Sequence, residues 1–160
     1  MKQRFSFLLA TFLGIGYVKV APGTIGSLIT LPLAFVLAYF YGFIGIVCGA
    51  LAAFIIGIAS VKEVLKQTPH DPSFVVIDEV AGQLMTFAAV ASHLQGNWHA
   101  WPLYLCGFIL FRIFDIFKPQ PVGWADRKIL NAWGVMLDDI IAGVYAMLIL
   151  YILFIFGFVS

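Results

Sequence analysis

Long apolar runs alternate with short polar stretches along the chain, and most of these runs are far longer than a β-strand of about five or six residues. A helix needs about 20 mainly apolar residues to cross a bilayer, and five of the runs approach or reach that length. The pattern therefore predicts an all-α fold, a polytopic membrane helical bundle with about five transmembrane helices. The predicted spans cover residues 24–41, 43–61, 77–94, 101–117 and 135–158.

The first apolar run, residues 5–18, is too short to cross a bilayer and predicts an N-terminal interfacial or re-entrant helix. A glycine-bearing turn follows at 21–27. Thr24 and Ser27 in this turn are suitable N-cap residues, so the turn is expected to end in the N-terminus of the next helix. Residues 118–134, between the last two spans, are predicted to form a loop.

The composition supports a membrane protein. Of 160 residues, 62% are hydrophobic and only 11% are charged, against about 25% in a soluble domain, and the mean hydropathy is +1.03. Residues 1–160 are predicted to form a single membrane-embedded domain in contact with membrane lipids. A net charge of +1 provides no basic surface of the kind that binds nucleic acid, so no nucleic-acid partner is expected.

The charged residues are distributed on one side of the predicted bundle. With the spans above, all nine Lys and Arg residues and all eight Asp and Glu residues fall on or near the side of the N-terminus. Positively charged loops remain in the cytoplasm, so this side is predicted to be cytoplasmic. The charges would form a shallow cluster near the level of the lipid headgroups.

Five carboxylates lie near the charged ends of three predicted spans, which would bring them together. Gathered without a cation they would repel one another, so either some of them are protonated or a divalent ion lies among them, and we favour the ion. Mg²⁺ is the natural choice because it prefers oxygen ligands and is often shared between carboxylates and a phosphate. The alternative is ion pairing with nearby cations and favourable placement of acids at helix N-termini. The candidate metal ligands are Asp78, Glu79, Asp115, Asp138 and Asp139.

Cations and a helix N-terminus on the same side could bind a phosphate. Arg112, Lys118 and Arg127 are candidate clamps, although for Lys118 or Arg127 taken alone an ordinary cytoplasmic charge is the stronger interpretation. The turn containing Thr24 and Ser27 offers backbone N–H groups and hydroxyls to an anion. His70 could donate a proton to a leaving alkoxide, although a solvated loop histidine is the more frequent case.

Five short motifs occur in order along the chain: PGTxGS at 22–27, DExxG at 78–82, FRxxDxxKPxP at 111–121, DR at 126–127 and GVMxDDxxAG at 134–143. In these motifs the sequence resembles the phosphatidylglycerophosphatase A family of bacterial membrane lipid phosphatases. The resemblance extends from about residue 7 to about residue 155.

The resemblance implies a Mg²⁺-dependent phosphoric monoester hydrolase of phospholipid biosynthesis. Its expected substrate is phosphatidylglycerophosphate, its products are phosphatidylglycerol and phosphate, and its location is the bacterial cytoplasmic (inner) membrane, with a cytoplasmic active site. Apart from the resemblance, the residue chemistry favours a water activated by the ion as the nucleophile. Asp115, which lies between two cations, is the alternative through an aspartyl-phosphate. The expected catalytic residues are Asp78, Glu79, Arg112, Asp115, Asp138 and Asp139.

Three alternative functions remain at this stage. A small membrane transporter or channel would place its charges near the midplane of the bilayer. A structural or assembly protein would need no convergent acids. A lipid phosphotransferase that uses a cytidine-diphosphate lipid would carry its acidic signature on one continuous segment, whereas the acids here are spread over three.

Overall fold

The computed structural model describes residues 2–68 and 72–159, and this part of the chain is helical, without β-strands. Two single-turn 3₁₀ segments, Ile15–Tyr17 and Ala88–Val90, accompany the α-helices. The α-helices are α1 Lys2–Ala10, α2 Pro22–Val64, α3 Ile77–Thr86, α4 Ala91–Leu94, α5 Trp101–Phe117, α6 Val122–Lys128 and α7 Ala132–Ile155.

α2 is a hairpin of two helical arms that meet at Gly42, between the predicted spans 24–41 and 43–61. Gly42 has φ 56° and ψ −136°, a conformation that side chains disfavour and that interrupts the helix. A Cβ added at Gly49 would lie 2.6 Å from Leu37 Cδ1, whereas twelve residues of straight helix would separate the two by about 18 Å. The chain therefore reverses direction, and the arms 22–41 and 43–64 pack against each other.

The ends of the helices gather at two opposite ends of the bundle. At one end, the N–H of Gly96 donates to the carbonyl of Tyr39 at 3.1 Å, which joins the α4–α5 connection to the α2 hairpin turn. At the other end, the N–H of Val76 donates to the carbonyl of Ala10 at 2.9 Å and holds α1 against the start of α3. The beginnings of α2, α3 and α7 and the end of α5 lie at this second end.

Two helices, α2 and α7, are long and apolar enough to cross a membrane. Large apolar side chains on their outer faces are exposed, as lipid contact requires; examples are Phe40, Ile44 and Ile55 on α2 and Ile152 on α7. The inner faces pack small residues closely, with Ala34, Ala38 and Ala146 fully buried. The protein is therefore an all-helical membrane protein.

The segment predicted as the third span, 77–94, is broken into α3, a 3₁₀ turn and α4. The Thr86 hydroxyl donates to the carbonyl of Gly82 at 3.1 Å, a contact that competes with the regular helix pattern near its end. Phe87, which follows, is fully buried and lies against Gly107 of α5. Tertiary packing of this aromatic ring is consistent with the interruption, because no proline or glycine stands there.

Other boundaries also differ from the sequence-based expectation. α1 covers only part of the predicted run 5–18, and α2 begins at Pro22, whose fixed φ suits a first helical position. Thr24 and Ser27 therefore lie inside the first turns of α2, and their prediction as N-cap residues is wrong. The predicted loop 118–134 contains α6. This stretch has too few apolar residues to have indicated a helix.

Candidate active site

Close packing of α3 on α7 brings two pairs of acids together. A Cβ added at Gly82 would lie 2.5 Å from the carbonyl oxygen of Asp139, and one added at Gly143 would overlap the carbonyl of Gly82. The backbones can approach this closely only because both residues lack side chains. The first turn of α3 carries Asp78 and Glu79, and the contact places them beside Asp138 and Asp139.

Three of these carboxylates form a compact group. Oxygen atoms of Asp78, Glu79 and Asp139 all lie within 4.8 Å of one another. The side chains are largely shielded from solvent, and Asp78 and Asp139 are only 8% and 4% exposed. The Asp78 Oδ1 also accepts a hydrogen bond of 3.1 Å from the N–H of Glu79, which fixes its orientation.

Arg112 of α5 joins the acids to the start of α2. Its Nη1 contacts Asp115 Oδ2 at 2.5 Å and lies 3.9 Å from Glu79 Oε1. The same nitrogen donates to Ser27 Oγ at 3.4 Å. A Cβ at Gly23 would overlap Glu79 Oε1 and would force that side chain to move from its present position. The N-terminal turn of α2 therefore packs directly on the Glu79–Arg112 contact.

Lys118 makes the second cationic contact with the acids. Lys118 is the first residue after α5, and its φ of 43° ends the helix. Its side chain therefore does not continue the helix face that carries Arg112 and Asp115. Its Nζ donates to Asp126 Oδ1 at 2.7 Å and to Asp138 Oδ2 at 2.8 Å. Burial alone would lower the pKa of Lys118, but these hydrogen bonds raise it above its ordinary value. Lys118 is therefore a cation at neutral pH.

These residues line one open cavity of about 390 Å³ at the second end of the bundle. Residues from α2, α3, α5 and α7 contribute to it, together with the segment before α3. A larger apolar groove of about 620 Å³ between α2, α3 and α7 has no charged residue in its lining. The cavity lining is Ala21, Pro22, Gly23, Thr24, Ser73, Val75, Asp78, Glu79, Arg112, Asp115, Ile116, Lys118, Asp138 and Asp139.

The charges in the cavity do not balance. Among the described residues, two cations face five carboxylates in the lining. Glu79 Oε2 and Asp138 Oδ1 are buried and have no hydrogen-bond partner in the described part of the chain. Buried carboxylates are normally paired or bind a metal, and a group of close carboxylate oxygens is the donor set of a hard divalent cation. The residues present therefore fit Mg²⁺ chemically.

The structure brings together most of the predicted site residues. Thr24 lines the cavity with the five acids, Arg112 and Lys118, while Ser27 is fully buried behind the lining and contacts Arg112. Arg127 does not line the cavity, and its Nε donates to the carbonyl of Gly123 at 2.9 Å within α6. His70 lies outside the described residues.

Sequence reasoning did not single out several residues at or near the cavity. Asp126 is the second partner of Lys118, and its place in the DR motif was the only available signal. Ser73 lines the cavity from the segment before α3. Gln83, one turn beyond Glu79, is fully buried and has no hydrogen-bond partner among the described residues. A glutamine inside an apolar run was a signal that could have identified it.

Comparisons with known proteins agree on one family. The family model described as phosphatidylglycerophosphatase A matches residues 8–154. The chain is 34% identical to phosphatidylglycerophosphatase A of Haemophilus influenzae, over 90% of this chain and 85% of that protein. It is 32% identical to phosphatidylglycerophosphatase A of Escherichia coli, over 90% of this chain and 80% of that protein.

A third relative carries a different name. It is a Bacteroides thetaiotaomicron protein named for a proposed phosphatidylinositol-3-phosphatase activity, 33% identical over 89% of each chain. No solved structure matches the chain. The helical membrane fold and the acid-rich cavity, together with these matches, define a membrane-embedded phosphatase. The chain belongs to the phosphatidylglycerophosphatase A family.

Proposed function

We propose that this protein removes the terminal phosphate of phosphatidylglycerophosphate and releases phosphatidylglycerol and inorganic phosphate, a step of phospholipid biosynthesis. The observation that carries the proposal is the convergence of Asp78, Glu79 and Asp139 with Arg112 and Lys118 on one cavity. Carboxylates for a divalent ion and cations for phosphate oxygens are the groups that phosphoryl transfer requires. Two relatives named phosphatidylglycerophosphatase A support the choice of headgroup.

The proposed topology has five crossings in the bacterial inner membrane, with the cavity facing the cytoplasm. The two arms of α2, the segment 77–94, α5 and α7 would each cross once. The described Lys, Arg, Asp and Glu residues lie toward the end of the bundle that carries the cavity, which supports a cytoplasmic position by the positive-inside rule. A phosphate-bearing headgroup could then enter the cavity while the acyl chains remain in the bilayer.

We assign Mg²⁺ binding to Asp78, Glu79 and Asp139, with Asp138 and Asp115 beside them. The close spacing of the three carboxylates and the unpartnered oxygens of Glu79 and Asp138 support this assignment. When bound, the ion would neutralise charge on the phosphate and activate the attacking water.

Arg112 and Lys118 would bind the phosphate oxygens that the acids do not reach. Both line the cavity, and their positions are fixed by neighbouring carboxylates before any substrate binds. Preorganised cations stabilise the charge that builds up on a transferring phosphoryl group without having to move during the reaction. The N-terminal turn of α2, with Thr24 in the lining, offers further donors to the same anion.

We favour attack by water over a covalent intermediate. In this scheme a bond forms between the water oxygen and phosphorus, the bond to the glycerol oxygen breaks, and the proton that the attacking water loses balances the proton that the leaving alkoxide takes up. Asp115 is the alternative nucleophile, but its Oδ2 is held by Arg112 Nη1, which draws negative charge away from that oxygen. Isolation of a protein phosphorylated at Asp115 would contradict direct attack by water and support the covalent intermediate.

Phosphate release by the purified protein tests the proposal. Phosphatidylglycerophosphate and phosphatidic acid are compared in mixed micelles, each with Mg²⁺ and after stringent chelation. We expect Mg²⁺-dependent release from phosphatidylglycerophosphate and much slower release from phosphatidic acid. The matched control is Glu63→Gln, which removes a carboxylate from an exposed ion pair with Lys66 and should leave the rate unchanged. Full activity after chelation would contradict the metal assignment.

The placement of the charges disfavours the alternative functions. The ion pairs of Arg112 and Lys118 lie at one end of the bundle, whereas a transporter would carry charges near the middle of its helices. The acids come from α3, α5 and α7, so they do not form the continuous signature expected of a cytidine-diphosphate lipid phosphotransferase. If the protein carried a solute across the membrane of liposomes, that result would support the transporter alternative.

A further inference from the structure

The ammonium of Lys118 has one hydrogen-bond donor left after its two ion pairs. An ammonium group carries three N–H donors, and the contacts to Asp126 and Asp138 occupy two of them. Lys118 lines the cavity, so the third donor is available to a phosphate oxygen there. Asp138 belongs to the acidic cluster itself, whereas Asp126 is not part of the cavity lining.

Asp126 is held rigidly with respect to Lys118. α6 packs against the end of α5 so closely that a Cβ at Gly123 would lie 2.7 Å from the carbonyl oxygen of Lys118. The N–H of Gly123 donates to the carbonyl of Pro119 at 3.3 Å, and Arg127 Nε donates to the carbonyl of Gly123. Val122 and other residues on the inner face of α6 are fully buried. The short helix therefore fixes the position of its one carboxylate.

A second anchor changes what Lys118 can do. A lysine side chain is flexible, with several rotatable bonds, so one ion pair leaves the ammonium free to change direction. With Asp138 as its only partner, the ammonium would lie against the acidic cluster and its remaining donors would have no fixed direction. Contact with Asp126 from a separate helix fixes Nζ between two points, as preorganised phosphate binding requires.

We propose that Asp126 is a positioning residue that anchors Lys118 from outside the cavity lining, so that the third ammonium donor of Lys118 points at the substrate phosphate. The proposal rests on the phosphate-binding role of Lys118 given above. Within the DR motif, Asp126 then serves the reaction through Lys118, and Arg127 holds the helix that presents Asp126.

A double-mutant cycle tests this role. The variants are Asp126→Asn, Lys118→Met and the two combined, and kcat and KM are measured for phosphate release from phosphatidylglycerophosphate. We expect Asp126→Asn to lower kcat/KM by about 10- to 100-fold, the usual loss for a partner that orients a functional group. In the Lys118→Met background the same change should cost less than about threefold, because coupled residues are not additive. Asp126→Glu, which keeps the charge, should recover part of the rate.

Two results would overturn the proposal. One is a wild-type kcat/KM for Asp126→Asn, and the other is an equal loss in both backgrounds, which would indicate a structural role independent of Lys118. If Asp126→Asn does not accumulate in membranes, accumulation should return when Lys118→Met is added, since the partly buried ammonium that Asp126 helps to neutralise is then absent. Failure in both backgrounds also overturns the proposal. An inactive wild-type protein would instead contradict the proposed function.

Discussion

Gly82 and Gly143 bring the backbones of α3 and α7 into direct contact, and a Cβ at Gly143 would overlap the carbonyl of Gly82. The contact lies one helical turn from the acids that each helix carries. Its closeness is the reason that Asp78 and Glu79 can share space with Asp139. The geometry of the acidic cluster therefore depends on two residues that have no functional groups.

Substitution at this contact should damage stability and activity together. Gly143→Ala must push α7 away from α3, because the atom it meets is backbone and cannot rotate away. We expect a loss of about 1–3 kcal/mol in unfolding free energy, the usual cost of overpacking, and a loss of most phosphate release. Thermal unfolding in detergent and the rate of phosphate release measure the two effects.

Gly49→Ala is the matched control for Gly143→Ala. The added methyl group would meet Leu37 Cδ1, the end of a flexible side chain, away from the cavity. This variant should lose far less stability and keep its activity. Equal behaviour of the two alanine variants would contradict the importance of the α3–α7 contact.

Removal of one cluster carboxylate should lower activity without lowering the stability of the metal-free protein. Asp139→Asn removes a negative charge from a group of buried like charges, so the metal-free protein should unfold at the same or a higher temperature. Phosphate release should fall by on the order of 100- to 1,000-fold. Mg²⁺ should raise the unfolding temperature of the wild type but not of this variant. A ligand stabilises only a folded protein that binds it, and the variant lacks one of the proposed metal ligands. Normal activity of Asp139→Asn would exclude it as a metal ligand.

Arg112→Lys tests whether the guanidinium contributes geometry as well as charge. Lysine keeps a cation near Asp115 and Glu79 but has no planar fork for phosphate oxygens. We expect kcat to fall by about 10- to 100-fold with little change in KM, since the lost contacts matter most in the transition state. Steady-state kinetics over a range of lipid mole fraction separates the two constants. A change confined to KM would assign Arg112 to ground-state binding only.

The proposed topology predicts which residues a membrane-impermeant reagent can reach. In a background without Cys48 and Cys106, Asn97→Cys lies at the end opposite the cavity and should react with such a maleimide from outside spheroplasts. Lys128→Cys, at the end of α6, should react only after the membrane is permeabilised. Labelling of both from the same side would contradict an odd number of crossings between the two positions.

The sequence predicted the features of the fold that depend on local composition. The apolar runs located the helices, and Gly42 marked the reversal of α2, because both signals are contained in a few neighbouring residues. The grouping of acids from three segments followed from the placement of all charges at one side of the runs. These features required only run lengths and charge positions.

The sequence did not predict features that depend on packing between segments. The break after Thr86 stands beside the fully buried ring of Phe87, which no local sequence signal marks. α6 is only seven residues long, too short for a clear periodic pattern. Arg127 is a candidate phosphate clamp because its charge lies on the expected side, and the sequence did not predict that it lies outside the cavity lining with its Nε donating to the carbonyl of Gly123. The partner of a charged side chain depends on how the helices pack, which the sequence pattern does not show.

The bridge from Lys118 to Asp138 also has a consequence for biosynthesis. Asp138 lies on α7, which the ribosome makes after α2, α3 and α5. A nascent chain that has inserted only the earlier helices lacks two of the cavity carboxylates, Asp138 and Asp139, and its Lys118 lacks the later partner. The enzyme would therefore gain its competence only when translation and insertion of α7 are complete, so that stalled fragments would not act prematurely on membrane lipids.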